Sequence, residues 1–162
     1  MTLQELSIQL PNRPGALARV ARLLAKEQIN LAAISVDSTR ARGRVRIVVS
    51  DPARARRLLT QAGHAVETHD LIAVRLEDRA GSFLKVLAAL AQANVNIESV
   101  VILVAREGAR SLIALSTDDF PRTRKVLREG GFISEGAERL ISNADLLAAA
   151  PAIPAETVGL FL

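Results

Sequence analysis

The segment Asn12–Leu17 combines residue types that suit a small charged ligand. An alternating apolar segment precedes it and a helical pattern follows, so it lies where a strand leads into a helix. Pro14 stiffens the loop, and Gly15 lets the backbone approach a ligand closely. The first N–H groups of the helix have no acceptor within it, and the helix dipole makes them attractive to a carboxylate. They belong to Gly15, Ala16 and Leu17.

Asn12 adds an amide to this segment. Its side chain can both donate and accept hydrogen bonds, which suits a ligand that carries a carboxylate and an ammonium group. The alternative is that Asn12 serves only as a turn or capping residue. The pattern therefore indicates either a zwitterion site or an ordinary turn.

Catalytic chemistry is poorly represented in the sequence. The chain has no cysteine, which excludes disulfides, thiolate metal sites and cysteine nucleophiles. His64 and His69 flank a predicted strand on opposite faces, and partly exposed histidines are a simpler interpretation than a metal site or general base. Asp118 and Asp119 precede a helix and indicate an N-cap, and no phosphate-binding glycine loop is present. We therefore expect no catalytic residues, no metal and no cofactor.

The chain repeats itself at an offset of 66 residues, with residues 6–38 aligned on residues 72–104. Most of the aligned pairs exchange one apolar residue for another. The identical pairs include Arg13 and Arg79, Gly15 and Gly81, and Asn30 and Asn96. A matching glycine, with an arginine before it and an asparagine after it, indicates a duplication.

Each copy predicts the element order β-α-β-β-α-β. The first copy has predicted strands at residues 6–10, 31–38, 44–50 and 65–70, and predicted helices at 17–29 and 52–63. The second copy has predicted strands at residues 71–77, 96–106, 111–117 and 132–134, and predicted helices at 82–93 and 119–129. This order predicts an α+β fold of two ferredoxin-like units, each an antiparallel four-stranded sheet with two helices on one face. We expect unit 1 at residues 1–70, unit 2 at 71–135, and a tail at 136–162 that is partly helical or mobile.

The run Val100–Val104 is apolar at every position, whereas a strand with one wet face alternates. We therefore expect both faces of this strand to be covered, by the other unit or by a second subunit. The alternative is an irregular pattern without structural meaning.

The duplicated units, each with a breaker similar to Asn-Arg-Pro-Gly-x-Leu, resemble the ACT domain, a family of small regulatory modules that bind amino acids. The asparagine near the start of each second strand also resembles the family. The resemblance covers Leu3 to about Ser134. More narrowly, the chain is similar to stand-alone bacterial proteins made of two ACT units.

The resemblance implies an amino acid held at an interface between units. The first loop of one unit and the start of a neighbouring unit's second strand would approach it. In unit 1 the implied ligand-binding residues are Asn12, Arg13, Pro14, Gly15, Ala16, Leu17 and Asn30; in unit 2 they are Asp78, Arg79, Gly81, Ser82 and Asn96.

The sequence departs from the family in ways that weaken the second loop. Ala80 replaces the proline, and Asp78 would repel a carboxylate although it could receive an ammonium group. Leu10 and Leu76 stand where some amino-acid-binding members have histidine. We therefore expect unit 1 to provide the better carboxylate site.

Nucleic acid and membrane partners are not expected. An RNA-recognition motif shares this element order but needs aromatic residues, and only 2% of residues are aromatic. Two arginine clusters, at residues 40–46 and 54–57, indicate a solvated surface more than a nucleic-acid patch. Neither a secretory signal nor an apolar run of about 20 residues is present.

The sequence thus predicts a cytoplasmic, non-catalytic regulatory protein with a small amino acid as ligand. Because no catalytic domain is recognisable in the sequence, we expect two partners, namely a second copy in a homodimer and an unidentified regulated enzyme. The alternative is a module for protein–protein interaction or oligomerisation without its own ligand.

Overall fold

The structure is a computed structural model that describes residues 3–38, 42–77, 79–103 and 110–133. Asp78, Ser134 and the predicted tail at 136–162 lie outside the described residues. The described elements are, in chain order, β1 (Leu3–Pro11), α1 (Ala16–Lys26), β2 (Leu31–Ser38), β3 (Arg42–Val49), α2 (Pro52–Gln61), β4 (Val66–Glu77), α3 (Ser82–Gln92), β5 (Ile97–Leu103), β6 (Arg110–Thr117) and α4 (Phe120–Glu129).

The strands pair antiparallel in the order β2-β3-β1-β4-β6-β5. This arrangement confirms the predicted α+β, ferredoxin-like fold class. One difference from the prediction is that β4 replaces the two separate strands expected at residues 65–70 and 71–77. It pairs with β1 up to Leu71 and with β6 from Ile72 onward. No glycine or proline interrupts this stretch, so nothing ends the strand between the two halves.

Each unit builds a core between its helices and one face of the sheet. In unit 1, α1 directs Val20 and Leu24 onto Leu6, Ile8 and Ile47. Unit 2 repeats this packing with Val86 and Leu90 of α3. The helices are amphipathic with buried residues four positions apart, so each places a single apolar stripe on the sheet.

A third core joins the two units on the sheet faces opposite the helices. This inter-unit core is made of Leu3, Val48, Leu71, Leu103, Leu112 and Ala114. In β3, β4 and β6, its members alternate with the residues that face the helices. The outermost strands β2 and β5 contact each other, so the sheet folds back on itself.

The inter-unit core covers only one face of β5. Ser99 and Leu103 are buried, whereas Val100 is 41% and Ile102 71% exposed. Within this chain the other unit therefore covers one face of β5, and covering of the other face by a second subunit stays a prediction; Val104 lies outside the described residues.

The short strand predicted at residues 132–134 is not present in its described part. Gly131 adopts a positive φ of 71°, and Phe132 and Ile133 both donate backbone hydrogen bonds to the Leu127 carbonyl. The chain therefore turns back onto the end of α4 and does not extend.

Glu5 is a buried carboxylate at the edge of the inter-unit core. Ser99 Oγ donates to Glu5 Oε1 at 3.4 Å, and Ser99 and Ser116 share a hydrogen bond of 3.0 Å. Within the described part of the chain, Glu5 Oε2 has no hydrogen-bond partner. Burial raises the pKa of Glu5, although Arg46, His69 and the Ser99 hydrogen bond act in the opposite direction.

Because of this pKa shift, we expect Glu5→Gln to raise the free energy of unfolding by an amount that depends on pH. Because the folded-state pKa lies above the ordinary value of 4.5, the contribution of Glu5 to stability is present below pH 4.5 and is lost as the pH rises through the folded-state pKa. We expect Glu5→Gln to raise the free energy of unfolding by about 1–2 kcal/mol at pH 8 and by much less at pH 4.

Urea unfolding of both proteins at the two pH values measures this difference. Glu98→Gln, which neutralises an exposed carboxylate on β5, is the matched control. An equal gain in the control, or a gain from Glu5→Gln that is largest at pH 4, would contradict the prediction.

Candidate functional site

The loop between β1 and α1 is a tight turn held by its own backbone. The N–H of Arg13 donates to the Pro11 carbonyl at 2.9 Å, and the N–H of Ala16 donates to the Arg13 carbonyl at 3.2 Å. Gly15, which lies between Arg13 and Ala16, has a φ of 79°, in the left-handed region that favours glycine. This turn ends at the first residue of α1, so the N-terminus of the helix faces the loop.

The loop between β4 and α3 repeats this geometry bond for bond. Arg79 donates to the Glu77 carbonyl at 2.8 Å, and Ser82 donates to the Arg79 carbonyl at 3.2 Å. Gly81 has φ 84°. The two loops therefore share one backbone conformation, as their aligned sequences indicate.

The N-termini of the four described helices fall into two kinds. Asp51 caps α2 and Asp119 caps α4, each accepting a hydrogen bond of 2.9 Å from an N–H in the first turn. The helices α1 and α3 instead begin after Gly15 and Gly81, without a side-chain cap. The first-turn N–H groups of α1 and α3 are thus not occupied by a carboxylate of their own N-cap residue.

One of the three N–H groups expected to be unpaired is in fact used. Ala16 donates to the Arg13 carbonyl, so the expectation is wrong for this residue, because the turn closes on itself before the helix begins. Leu17 remains in the first turn, where no acceptor exists within the helix.

The loop of unit 1 is open to solvent. Asn12, Arg13, Pro14, Gly15 and Leu17 are exposed, and Ala16 is buried. A Cβ atom added at Gly15 would meet no other atom within 4 Å. A small ligand can therefore reach the backbone here.

Asn30 and Asn96 occupy equivalent positions just before β2 and β5. The Asn30 N–H donates to Ser50 Oγ at 3.1 Å, and the Asn96 N–H donates to Asp118 Oδ1 at 2.9 Å. These two acceptors are not predicted from the sequence, where Asp118 and Asp119 together indicate a helix cap; Asp119 alone provides that cap, and Asp118 holds Asn96. Both acceptors directly follow the strand that pairs with the asparagine's own strand, which is the signal that could have identified them.

The strand register separates Asn30 from the loop of its own unit. Pro11 pairs with Arg42 and Ser38 with Gly43, so the loop lies level with the end of β2. Asn30 lies at the start of that strand, about 25 Å away along its eight residues. A site that uses both Asn12 and Asn30 must therefore take them from different units.

The charged surroundings of the two loops differ. In unit 2, Arg79 Nε forms an ion pair of 2.7 Å with Glu77 Oε2. The position equivalent to Glu77 is Pro11 in unit 1, so Arg13 has no such carboxylate two residues before it. Asp78, the acidic residue expected beside this pair, lies outside the described residues.

The histidines do not form a metal site with acidic side chains among the described residues. His69 Nε2 lies 3.7 Å from Glu67 Oε2 on the same strand. No group of three potential His, Cys, Asp or Glu ligands exists among residues 3–38, 42–77, 79–103 and 110–133. Over the same ranges, none of the helices has the length and apolar character needed to cross a bilayer.

Substitution of the loop glycines should reveal the cost of their backbone conformation. Both have positive φ with free space around the Cβ position, so the penalty for Gly15→Ala or Gly81→Ala is conformational. We expect each to lower the free energy of unfolding by about 1 kcal/mol, and Gly15→Asn to lower it less, because asparagine tolerates this region better.

Gly43→Ala is the matched control for this prediction, because Gly43 has no positive φ and an added Cβ would make only ordinary contacts of 3.6 Å or more. Thermal and urea unfolding measure the four variants. An equal loss in Gly43→Ala would show that the conformation at Gly15 is not the cause.

Solved structures share this fold over most of the chain. Protein BT0572 from Bacteroides thetaiotaomicron is 29% identical and superimposes with a TM-score of 0.77, covering 90% of this chain and 96% of its own. The ligand-free regulatory subunit of aspartate kinase from Thermus thermophilus is 18% identical with a TM-score of 0.59, covering 83% of this chain and 93% of its own. Aspartate kinase from Synechocystis is 19% identical with a TM-score of 0.55, over 83% of this chain and 26% of its own.

The two aspartate kinase matches show a shared fold. No curated protein matches the chain. A family model described as an ACT domain pair matches residues 1–140, which include both loops and all ten described elements. The chain therefore belongs to the ACT domain family, as a pair of ACT units.

Proposed function

We propose that this ACT pair is a non-catalytic regulatory protein that binds a small amino acid at the loop Asn12–Leu17. The observation that carries the proposal is the uncapped and exposed N-terminus of α1. Its equivalent in α2 is filled by the Asp51 carboxylate, which shows what kind of group such a helix start accepts in this fold.

The ligand carboxylate would occupy the position at the start of α1 that an N-cap side chain fills in α2 and α4. The Leu17 N–H and the helix dipole attract it, and the exposed Arg13 guanidinium adds a positive charge beside the loop. Ala16 is buried beneath the turn, and its N–H continues to donate to the Arg13 carbonyl when the ligand is bound.

The ligand ammonium group requires an acceptor on the other side. Asn12 can supply its amide oxygen from the same loop. Asn30 lies about 25 Å away in its own unit, so we propose that it serves a loop of another unit. The amino acid is then held between units, and its binding stabilises their association.

The loop of unit 2 is the weaker site in this proposal. Gly81, Ser82 and Asn96 repeat the geometry, and the Ser82 N–H is used just as the Ala16 N–H is, but Arg79 is paired with Glu77. Asp78 adds a negative charge to the sequence here. These features oppose a carboxylate more than their counterparts in unit 1 do.

We further propose a homodimer formed through the outermost strands. Ile34 and Val36 on β2, and Val100 and Ile102 on β5, are exposed apolar residues on the helix side of the sheet. Among the described strands, each of these two has a single paired neighbour in the sheet order. A second copy would cover both the apolar side chains and an unpaired strand edge.

A regulated enzyme is the further partner that we propose, with the cytoplasm as the location of both. The regulatory subunit of an aspartate kinase shares the fold, which supports a regulatory role without identifying the target. A ligand regulates such a partner only if the two states of the protein differ in affinity for it. The competing function is an oligomerisation module without a ligand, which the exposed strands alone would satisfy.

A screen of the twenty amino acids by thermal shift tests the ligand site. We expect at least one to raise the melting temperature in a saturable manner. Asn12→Ala should weaken its binding about tenfold, because one hydrogen bond to a charged group is lost. Gly15→Val should abolish binding, because valine disfavours the left-handed conformation on which the loop depends.

Gly63→Val and Gln61→Ala are the matched controls. Gly63 also has positive φ with free space around it, and Gln61 is an exposed amide at the end of α2. Binding retained in both loop variants would place the site elsewhere. The absence of any hit would favour the oligomerisation module.

The proposed dimer predicts a concentration-dependent mass that charged substitutions reduce. We expect Val36→Glu combined with Ile102→Glu to shift the protein to monomer, because each carboxylate would be buried against an apolar strand. Leu84→Glu, at an equally exposed leucine on α3, is the control. Sedimentation velocity measures the mass, and a dimer that survives the double substitution would contradict the interface.

A further inference from the structure

A small hydrogen-bond cluster joins the two units inside their contact. Glu5 of β1 is 1% exposed, and its Oε1 accepts a hydrogen bond of 3.4 Å from Ser99 Oγ of β5. Ser99 also shares a hydrogen bond of 3.0 Å with Ser116 of β6, and both serines are buried. The cluster therefore connects one strand of unit 1 with two strands of unit 2.

The fold itself does not need a carboxylate at this position. The repeat offset of 66 residues aligns Glu5 with Leu71 and Ser99 with Ala33. Leu71 is 2% exposed and belongs to the inter-unit core, and Ala33 packs against that core. Apolar side chains thus fill both equivalent positions, so the Glu5 carboxyl is a feature that packing alone does not require.

Two basic side chains face Glu5, one from each neighbouring strand. His69 of β4 lies directly opposite Glu5 in the strand register, and Arg46 lies on β3 on the same face of the sheet. Each of them also has another carboxylate nearby, because Arg46 Nη1 lies 3.3 Å from Asp37 Oδ2 and His69 Nε2 lies 3.7 Å from Glu67 Oε2. The positive charge on this face is therefore shared and is not devoted to Glu5.

An ionised Glu5 is poorly accommodated while the contact is closed. Within the described part of the chain, Glu5 Oε2 has no hydrogen-bond partner, and β5 and β6 present only the uncharged hydroxyls of Ser99 and Ser116. Burial raises the pKa of Glu5, and this effect outweighs the lowering by Arg46, His69 and the Ser99 hydrogen bond. Loss of the proton therefore favours any state in which water reaches the carboxylate.

The strand that can move to admit water is β5. In the sheet order β1 lies between β3 and β4, whereas β5 pairs only with β6 among the described strands. The register of β5 shifts between Ile97 and Ser99, so the ladder is irregular beside the residue that contacts Glu5. Val100 and Ile102 leave the helix side of β5 exposed. Movement of β5 thus breaks fewer contacts than movement of β1 would.

We propose that Glu5 is a proton-operated latch between the two units, which holds β5 against the inter-unit core when its carboxyl group is neutral and releases β5 when that group is ionised. The proton passes to solvent, and no ligand takes part, so the latch is independent of the proposed amino-acid site. It is closed below pH 4.5 and opens as the pH rises towards the folded-state pKa of Glu5. Asn96 directly precedes β5, so the latch also links this proton to a candidate ligand residue of unit 2.

Hydrogen–deuterium exchange of the full chain at pH 5 and pH 8, expressed as protection factors, tests the latch. We expect the amides of residues 97–103 to lose about tenfold in protection at pH 8, because an ionised and incompletely paired carboxylate favours the open state. The amides of residues 6–10 in the central strand β1 should stay better protected than those of β5 at pH 8, because the latch releases β5 alone.

The variants separate the latch from a general effect of pH. Glu5→Gln keeps the shape and removes the titration, so the protection of residues 97–103 should agree within about twofold at the two pH values. Glu5→Leu places in unit 1 the residue type of Leu71 and gives the same readout if the glutamine variant does not fold. Glu98→Gln, at an exposed carboxylate on β5, is the matched control and should keep the pH dependence of the unmodified protein.

Three results would overturn the proposal. The first is equal protection of residues 97–103 at both pH values in the unmodified protein. The second is a pH dependence that persists in the folded Glu5 variants. The third is equal protection of β1 and β5 at pH 8, which would mean that the whole molecule opens and not β5 alone.

Discussion

The apolar contact between the two sheet faces that turn away from the helices supports the rest of the molecule. Each unit covers only one side of its strands with helices, which would leave Leu3, Val48 and Leu71 in water. Burying a side chain of this kind contributes about 1.5–3 kcal/mol. The contact between the units therefore supplies a second half of the core that neither unit has alone, and it leaves the helices and both glycine loops on the outside.

Polar groups mark the limit of this contact. Glu5 is buried beside Ser99 and Ser116, and Arg46 lies next on the same face of the sheet. An incompletely paired carboxylate costs stability, so its position is not explained by packing alone. The face of unit 1 thus changes along a few residues from apolar to polar to cationic, and unit 2 covers only the first part.

The sequence was sufficient for features that depend on local pattern. The two loops were identifiable because Gly15 and Gly81 are required by a positive φ and recur at a fixed offset. The sequence predicts two strands in place of β4, because the boundary between the two repeats falls within residues 65–77. No turn residue interrupts the chain at that boundary, so the strand continues through it. The burial of Glu5 could not be predicted from the sequence, because it depends on Ser99, which is 94 residues away and belongs to the other unit.

The asymmetry between the units follows from the same constraint. Two copies of one fold share their backbone turns down to individual hydrogen bonds, yet their side chains meet different surroundings. Leu112 and Ala114 must be apolar because they lie within the contact, whereas Arg44 lies beyond it and is free to carry charge. Similarly, Glu77 holds Arg79 in unit 2, while proline at the equivalent position leaves Arg13 without that neighbour. Duplication therefore preserved the helix starts, and the contact between the copies determined which surfaces could diverge in charge.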